Sequence, residues 1–347
     1  MEKSEWASPI FLRKDMINLA VVGATGAVGQ QMLAILEERK FPTKKVKVFA
    51  SQKSIGENIK FKDKQLEVEA IQPGCWQGLN LVLLSAGAEV SKQICPQIIK
   101  AGGTAIDNSS AFRYQNDIPL VIPEINPSEI KPGIIANPNC STIQLLLAMK
   151  PIHDLVGIKQ LVVSTYQAVS GSGFKAMQEL KDQIEKWQQG KEIAPKVYEK
   201  QIAFNVIPKV DKFLANGFSR EEMKLVWETH KILGDHKIKV TATAVRVPVF
   251  YGHSESVYVE TKEKITLAQF KTALAKFPGV QVVDDLSKNQ FPTALDSEKT
   301  DDILVGRIRP DLFNENSFNM WIVGNNLRKG AALNAVQIAE LYREKYL

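Results

Sequence analysis

Residues 136–142 read ANPNCST, which sets a cysteine, Cys140, after a proline turn and ahead of the apolar run STIQLLLAM. That run predicts a helix, so the sulfur is expected near unpaired main-chain amides. A helix N-terminus or nearby cations lower a thiol's pKa, and the thiolate is the attacking species. Position alone leaves two readings open, a small buried hydrophobe or a nucleophile. Cys75, in QPGCWQG, and Cys95, in an apolar helix, have no comparable setting.

A cysteine nucleophile usually needs a base. Of the four histidines, His153 lies in a helix continuation, and His230 and His236 flank a helix end. His253 sits in VPVFYGHSES, a glycine-containing turn between two strands, from which a side chain can be aimed into a cleft. A solvated turn histidine is the alternative. Arg246, close before it in the strand KIKVTATAVRVPV, is a cation among Val, Ala and Thr and calls for an anionic partner. Arg113, in the polar loop NSSAFRYQNDIPLVIPEIN, is a further candidate for binding an anion. Glu221 and Lys224 lie three apart on one helix face, where the ordinary outcome is an exposed pair worth roughly 0.2–0.5 kcal/mol.

Other residues suit a dinucleotide. GATGAVG places Gly23, Gly26 and Gly29 at a turn from strand to helix, where a bare backbone lets a pyrophosphate approach the helix amides. The spacing is GxxGxxG, and tight packing of strand on helix is the other use for such glycines. After the second strand comes ASQKS, with Lys53 and no acid. A cation there suits a ribose 2′-phosphate and favours NADP, with a solvated surface lysine as the alternative.

The elements that must position these residues follow from periodicity. INLAVV (17–22) predicts a strand and the segment after the glycines a helix, with apolar residues at Val28, Met32, Ile35 and Leu36. Strands are predicted over 46–51 and 79–87, in TAIDNS and in GIIAN, and a helix near 90–100. This alternation implies a Rossmann-type, doubly wound parallel sheet covered on both faces. Beyond Cys140, LVVSTYQ (161–167), 237–249, SVYVET and FNMWIVG read as strands separated by long helices, an α+β second domain. Phe174, Met177, Leu180, Ile184 and Trp187 predict a helix with one buried face. Residues 188–201 read as a surface loop or lid. Ser219 and Glu222 form a capping-box signature, so a helix should run to about Leu233 and end at Gly234. AALNAVQIAELY predicts a closing amphipathic helix.

The chain's 347 residues suggest two domains at about 150 residues each. Its 44% apolar and 24% charged composition is that of a soluble protein. The formal charge of +6 is spread along the chain, which suits anionic small substrates and gives no nucleic-acid track. No run approaches the roughly 18 apolar residues of a membrane helix, and the first residues lack a secretory pattern, so no membrane association and a cytoplasmic location are expected. Three widely spaced cysteines without a CxxC pair argue against disulfides and against a metal site.

GATGAVG, DNSSAFR, PLVIPEIN, NPNCSTIQ, STYQAVSGSG, REEMKLVWETHKIL, RVPVFYGHSES and GNNLRKGAA occur together in the order seen in aspartate-semialdehyde dehydrogenases, which the chain resembles from Ile17 onward. The resemblance implies a nucleotide-binding domain over 17–140, a catalytic and dimerisation domain over 141–325 like that of glyceraldehyde-phosphate-type dehydrogenases, and a C-terminal helix over 326–347 returning to the first. Residues 1–16 would be an extension.

It also implies roles. Cys140 would be the nucleophile and His253 the acid and base. Arg246 would clamp the substrate α-carboxylate, Glu221 would meet its amino group and Gln167 would orient it. Arg113 and Lys224 would hold phosphate. Asn139 is a candidate for orienting the thiohemiacetal oxygen. NADP(H) would rest on Gly23, Thr25, Gly26, Ala27, Val28, Lys53, Ser54, Ser170, Gly171 and Asn326. The implied reaction is NADPH-dependent reduction of aspartyl 4-phosphate to the 4-semialdehyde. It serves the biosynthesis of lysine, threonine, methionine, isoleucine and diaminopimelate, in a homodimer or a dimer of dimers. Sulfur suits it, being a good nucleophile toward carbonyls and a good leaving group from a thioester.

Overall fold

A computed structural model describes residues 16–347. All but the last residue of the expected extension over 1–16 lies outside the described residues. In chain order the strands are β1 (Ile17–Val22), β2 (Thr43–Phe49), β3 (Asn58–Phe61), β4 (Lys64–Glu69), β5 (Leu81–Leu84), β6 (Thr104–Asp107), β7 (Ile134–Ala136), β8 (Ile158–Gln167), β9 (Lys239–Arg246), β10 (His253–Thr261), β11 (Val280–Val282), β12 (Ile303–Pro310) and β13 (Ser317–Gly324). The α-helices are α1 (Ala27–Glu38), α2 (Ala88–Lys100), α3 (Cys140–Val156), α4 (Phe174–Gln188), α5 (Arg220–Leu233), α6 (Leu267–Lys276) and α7 (Leu333–Tyr346). No described helix is long and apolar enough to cross a membrane.

Strands β1 to β7 form one sheet in the order β3-β4-β2-β1-β5-β6-β7, parallel except for the β3–β4 hairpin. Its central strands are continuously apolar because both faces are covered. Leu19 and Val21 enter a core shared with Met32 and Ile35 of α1 and Val336 and Ala339 of α7. Ala20 and Val22, on the opposite face, join Ile94 and Ile98 of α2. Strand order reverses about β1, so the crevice beyond the carboxyl ends of these strands is where a ligand of such a sheet binds.

The second sheet runs β11-β12-β13-β10-β8-β9, with β8–β9 and β11–β12 parallel and the other pairs antiparallel. Helices α3 and α6 pack on it, and α5 packs on α3 and β9. Its register gathers chemistry at one end. Gln167 pairs with Arg246 across β8 and β9, and His253 pairs with Gly324 across β10 and β13.

The capped helix is α5: Ser219 accepts from the Glu222 N–H, Glu222 returns the bond to Ser219, and Gly234 ends the helix at φ 66°. Other expectations need correction. Strand β2 starts at Thr43, and β3, β4, β11 and β12 carry no strand signal in the reading above. On α4, Met177 and Leu180 are buried, but Phe174 and Trp187 at its ends are exposed, because the element packs only through its middle. Helix α7 is buried around most of its girth, wedged between α1 and the sheet, and is not amphipathic. A π-turn, Arg328–Ala332, leads into it.

Candidate active site

Cys140 is the first residue of α3, with Asn139 as its N-cap. The Asn139 Oδ1 accepts from the N–H groups of Ser141 at 3.0 Å and Thr142 at 3.3 Å, and its Nδ2 donates to Glu221 Oε1 at 2.9 Å. The amides expected to stand open beside the sulfur are thus taken by the cap. The expected lowering of the thiol pKa is reversed as well. Burial pushes Cys140 up to about 12 and Glu221 adds to the rise, against the opposing charges of Lys224, Arg246 and Arg113. At rest the sulfur carries its proton.

Glu221 and Lys224 do not form the exposed pair of the ordinary case. Both are largely buried, 2.7 Å apart, and Lys224 also reaches Asp211 at 3.1 Å. Burial opposes charge on Glu221, yet Lys224 together with the Asn139 amide and Arg246 holds its carboxyl down to about 2. Gln167 Nε2 lies 3.2 Å from the same Glu221 oxygen and 3.1 Å from Ser141 Oγ, which joins the end of β8 to the first turn of α3.

Arg113 is buried against Glu228, with Nη1 to Oε1 3.0 Å, and its Nη2 donates to the Asn108 carbonyl at 2.7 Å. Glu228 is a residue the sequence reading missed. Its other oxygen takes the Asn139 N–H at 2.7 Å, so it ties the guanidinium to the N-cap of the nucleophile's helix. Its signal was present: Glu221, Lys224 and Glu228 stand at i, i+3 and i+7 on α5, one helix face. Arg113, Lys224 and Arg246 thus face three carboxylates, Glu221, Glu228 and Asp211, and the formal charges balance.

His253 is the first residue of β10 and fully buried, not a solvated turn residue. Its Nδ1 accepts the Ala168 N–H at 3.0 Å, while its Nε2 is buried with no partner among the described residues. Burial, with Arg246 alongside, lowers the imidazole to about 3 despite the opposing Glu221, so the ring is neutral. Arg246 donates from Nη1 to the Ala168 carbonyl at 2.6 Å and lies over the Tyr198 ring, 6.0 Å from its centroid. Its Nε has no partner among the described residues, and a buried donor left open calls for an incoming acceptor. Tyr198 belongs to the stretch expected to be a loop or lid. That stretch is tied to α4, with Glu179 accepting the Val197 N–H and Gln183 those of Ile202 and Ala203.

The backbone at residue 171 passes close to His253 and Arg246, an approach that glycine allows. A Cβ there would lie 3.1 Å from Arg246 Nη1 and 3.3 Å from His253 Nε2. Gly330, in the π-turn, is likewise set against Cys140: its Cβ would stand 3.0 Å from that of the cysteine.

The glycine loop fits a dinucleotide. Gly23 has φ +81°, and a Cβ on it would strike the Ser85 carbonyl at 2.3 Å; one on Gly29 would strike the Gly23 carbonyl at 2.1 Å. These two serve tight packing. Gly26 is the N-cap of α1, and no side chain caps that end, which leaves the amides of Ala27 and Val28 for a phosphate beside Thr25. Lys53 and Ser54 lie on a short 3-10 turn, Gln52–Ser54, after β2, with Lys53 exposed. Asn326 pairs with Ser170, its Nδ2 3.0 Å from Oγ, and its Oδ1 accepts the Gly252 N–H at 3.1 Å, which fixes the segment between β13 and the π-turn over the site. No group of metal-ligating side chains exists among the described residues.

Two family models match the chain: the NAD binding domain of semialdehyde dehydrogenase over residues 18–132 and its dimerisation domain over 149–329. An aspartate-semialdehyde dehydrogenase of Legionella pneumophila is 50% identical over 336 residues, covering 95% of this chain and 97% of that protein. One from Aquifex aeolicus is 49% identical over 330 residues, covering 93% and 97%. The crystal structure of aspartate semialdehyde dehydrogenase II complexed with ASA from Vibrio cholerae superposes with a TM-score of 0.93 at 45% identity, covering 96% of this chain and all of the other. With both family models matched and relatives about half identical over nearly its whole length, the chain belongs to the aspartate-semialdehyde dehydrogenase family.

Proposed function

We propose that the protein reduces aspartyl 4-phosphate to aspartate 4-semialdehyde, reversibly, through a thioester on Cys140. The observation that carries this reading is the meeting, at the end of β8, of the head of α3 with His253 and Arg246: Gln167 reaches Ser141 beside Cys140, and the next residue, Ala168, bonds both His253 and Arg246. Cys140 displaces phosphate from the acyl phosphate, and the nicotinamide cofactor, when bound, would supply the hydride that reduces the thioester. The Arg246 guanidinium, with its open Nε, takes the substrate α-carboxylate. Glu221, held ionised, takes the ammonium, and Gln167 spans from Glu221 to the first turn of α3 to fix the substrate between them.

Arg113 and Lys224 receive the phosphate as cations already neutralised in part by Glu228 and Glu221, so phosphate is held without being trapped. Asn139 acts through its cap and its bond to Glu221 to place the sulfur. Gly23, Thr25, Gly26, Ala27 and Val28 would cradle the cofactor pyrophosphate, and Ser170, Gly171 and Asn326 would border the nicotinamide. Lys53 and Ser54 would meet a ribose 2′-phosphate, hence NADP(H). The dimerisation domain supports a homodimer.

The test is phosphate-dependent NADPH formation from aspartate semialdehyde, with wild type beside Cys140→Ala. Activity is expected to require both phosphate and Cys140. Undiminished activity of the variant, or oxidation without phosphate, would overturn the thioester reading.

A further inference from the structure

Asp211 is one of the described non-glycine residues with a left-handed backbone, at φ +68°. Most side chains avoid that region, and aspartate enters it where local hydrogen bonds hold it. Here the hold is double: Oδ1 accepts the Lys212 N–H at 2.8 Å, and Oδ2 accepts from Lys224 Nζ at 3.1 Å. The segment that carries Asp211 is pinned to the site on both sides. Before it, Ile207 and Arg246 exchange main-chain hydrogen bonds of 2.8 and 2.9 Å. After it, the Lys212 carbonyl accepts the N–H of Arg220, the first residue of α5, at 2.8 Å, and Phe213 bridges to Ser219.

Lys224 thus has two carboxylates in unlike settings. Glu221 is 6% exposed and lies on the same helix, whereas Asp211 is 30% exposed and reaches Lys224 from another segment. Burial works against charge on Lys224, yet Glu221 and Asp211 hold its pKa above the ordinary lysine value, against the opposing charge of Arg113. With Arg113, Lys224 and Arg246 matched by Glu221, Glu228 and Asp211, an incoming phosphate gains net attraction only where one carboxylate steps aside. Glu228 is fully buried between Arg113 and the Asn139 N–H, and Glu221 also takes Asn139 and Gln167. Asp211 alone of the three can leave at small cost, because it keeps the Lys212 N–H and meets water.

We propose that Asp211 is a built-in competitor of phosphate at Lys224: its carboxylate pairs with the ammonium, yields it to phosphate, and takes it back as phosphate leaves. Asp211 thereby sets how tightly phosphate is held. The role rests on the reading above in which Lys224 receives the phosphate.

The test is calorimetric titration of the protein with inorganic phosphate, beside KM for phosphate in the oxidation of aspartate semialdehyde. Asp211→Asn removes the charge in a side chain that tolerates the same left-handed backbone, and Asp211→Gly removes both the charge and the backbone cost. Both variants should bind phosphate about two- to fivefold more tightly, the size of a part-exposed ion pair, and lower its KM by a like factor. Unchanged or weaker binding overturns the proposal. So does a gain in one variant only, which would trace to the backbone in Asp211→Gly or to a bond from the new amide in Asp211→Asn. Lys224→Gln should weaken phosphate binding and, in the double variant, cancel the effect of Asp211→Asn. An effect that persists without Lys224 would mean a general field of the carboxylate and sink the competition. Phosphate binding of wild-type strength in Lys224→Gln would instead remove Lys224 from the phosphate site and overturn the reading beneath it.

Discussion

Arg113 and the N-cap Asn139 share one buried carboxylate: Glu228 holds the guanidinium at 3.0 Å on one oxygen and the Asn139 main-chain N–H at 2.7 Å on the other. Removing Glu228 leaves a buried cation unpaired and frees the start of α3 at once. Glu228→Ala is expected to lose about 3–5 kcal/mol of unfolding free energy in urea titrations. Glu228→Gln, which keeps an acceptor for one of the two donors, should lose less and raise KM for phosphate more than it lowers kcat.

Acid stability carries a signature of His253. Its folded-state pKa lies near 3 against an ordinary 6.5, so the unfolded chain binds the extra proton first. The stability from keeping the ring neutral is complete above about pH 6.5 and is lost progressively as pH falls toward 3. Glu221, near 2 in the fold against 4.5, adds a loss in the same direction from about pH 4.5 downward. Glu255, buried and raised, works in the opposite sense, so the readout is a difference between proteins. Wild type minus His253→Gln should decline between pH 6.5 and 4 in denaturant titrations. A flat difference would contradict the buried neutral imidazole.

At the other extreme, Cys140 holds its proton to about 12 in the fold against an ordinary 9. Its contribution is therefore complete below about pH 9 and lost as pH rises through 12. Cys140→Ser, followed by thermal melting between pH 8 and 10.5, should weaken the alkaline decline of wild type.

Gly171→Ala tests the close approach of residue 171 to Arg246 and His253. The new methyl would stand 3.1 Å from Arg246 Nη1 and 3.3 Å from His253 Nε2, so both must shift by tenths of an ångström. A fall of about 10–100-fold in kcat/KM is expected with little change in melting temperature, since misplacement at that scale spoils reactive geometry before it spoils folding. Wild-type kinetics in the variant would mean that turnover does not require Arg246 and His253 to hold these positions.

Lys53 decides the cofactor prediction. Its exposure leaves it available to a 2′-phosphate, and Lys53→Glu should cut the ratio of kcat/KM with NADPH to that with NADH by about tenfold or more. An unchanged ratio would remove Lys53 from the cofactor site.

Much of this arrangement was legible in the residues themselves. Six consecutive apolar-rich residues before GATGAVG gave β1 to the residue, and Ser219, Glu222 and Gly234 bounded α5. Strands β3 and β4 escaped although Ile59, Phe61, Leu66 and Val68 alternate with polar residues, because the runs are only 4 and 6 residues long, with just two apolar residues each, in an edge hairpin. His253 was singled out from its turn, but its full burial was not legible, because the local glycine suggests solvent and only pairing with Gly324 on a distant strand buries the ring. The thiol's environment was misread because a sequence shows that Asn139 precedes Cys140 but not that its amide is spent on Ser141, Thr142 and Glu221. Ala168 could not be found at all, since its contribution is a peptide group that every residue but proline carries.

Helix α7 supplies Val336, Ile338 and Ala339 to the core that covers Leu19, Val21, Leu81 and Leu83. Strands β1 and β5 therefore wait for a helix made well after them: until α7 is made, the part of that sheet face that α1 does not cover stays open. The nucleotide-binding sheet thus completes its packing only after the second domain has been made, and a nascent chain that lacks α7 exposes that apolar strip to any chaperone or neighbouring chain within reach.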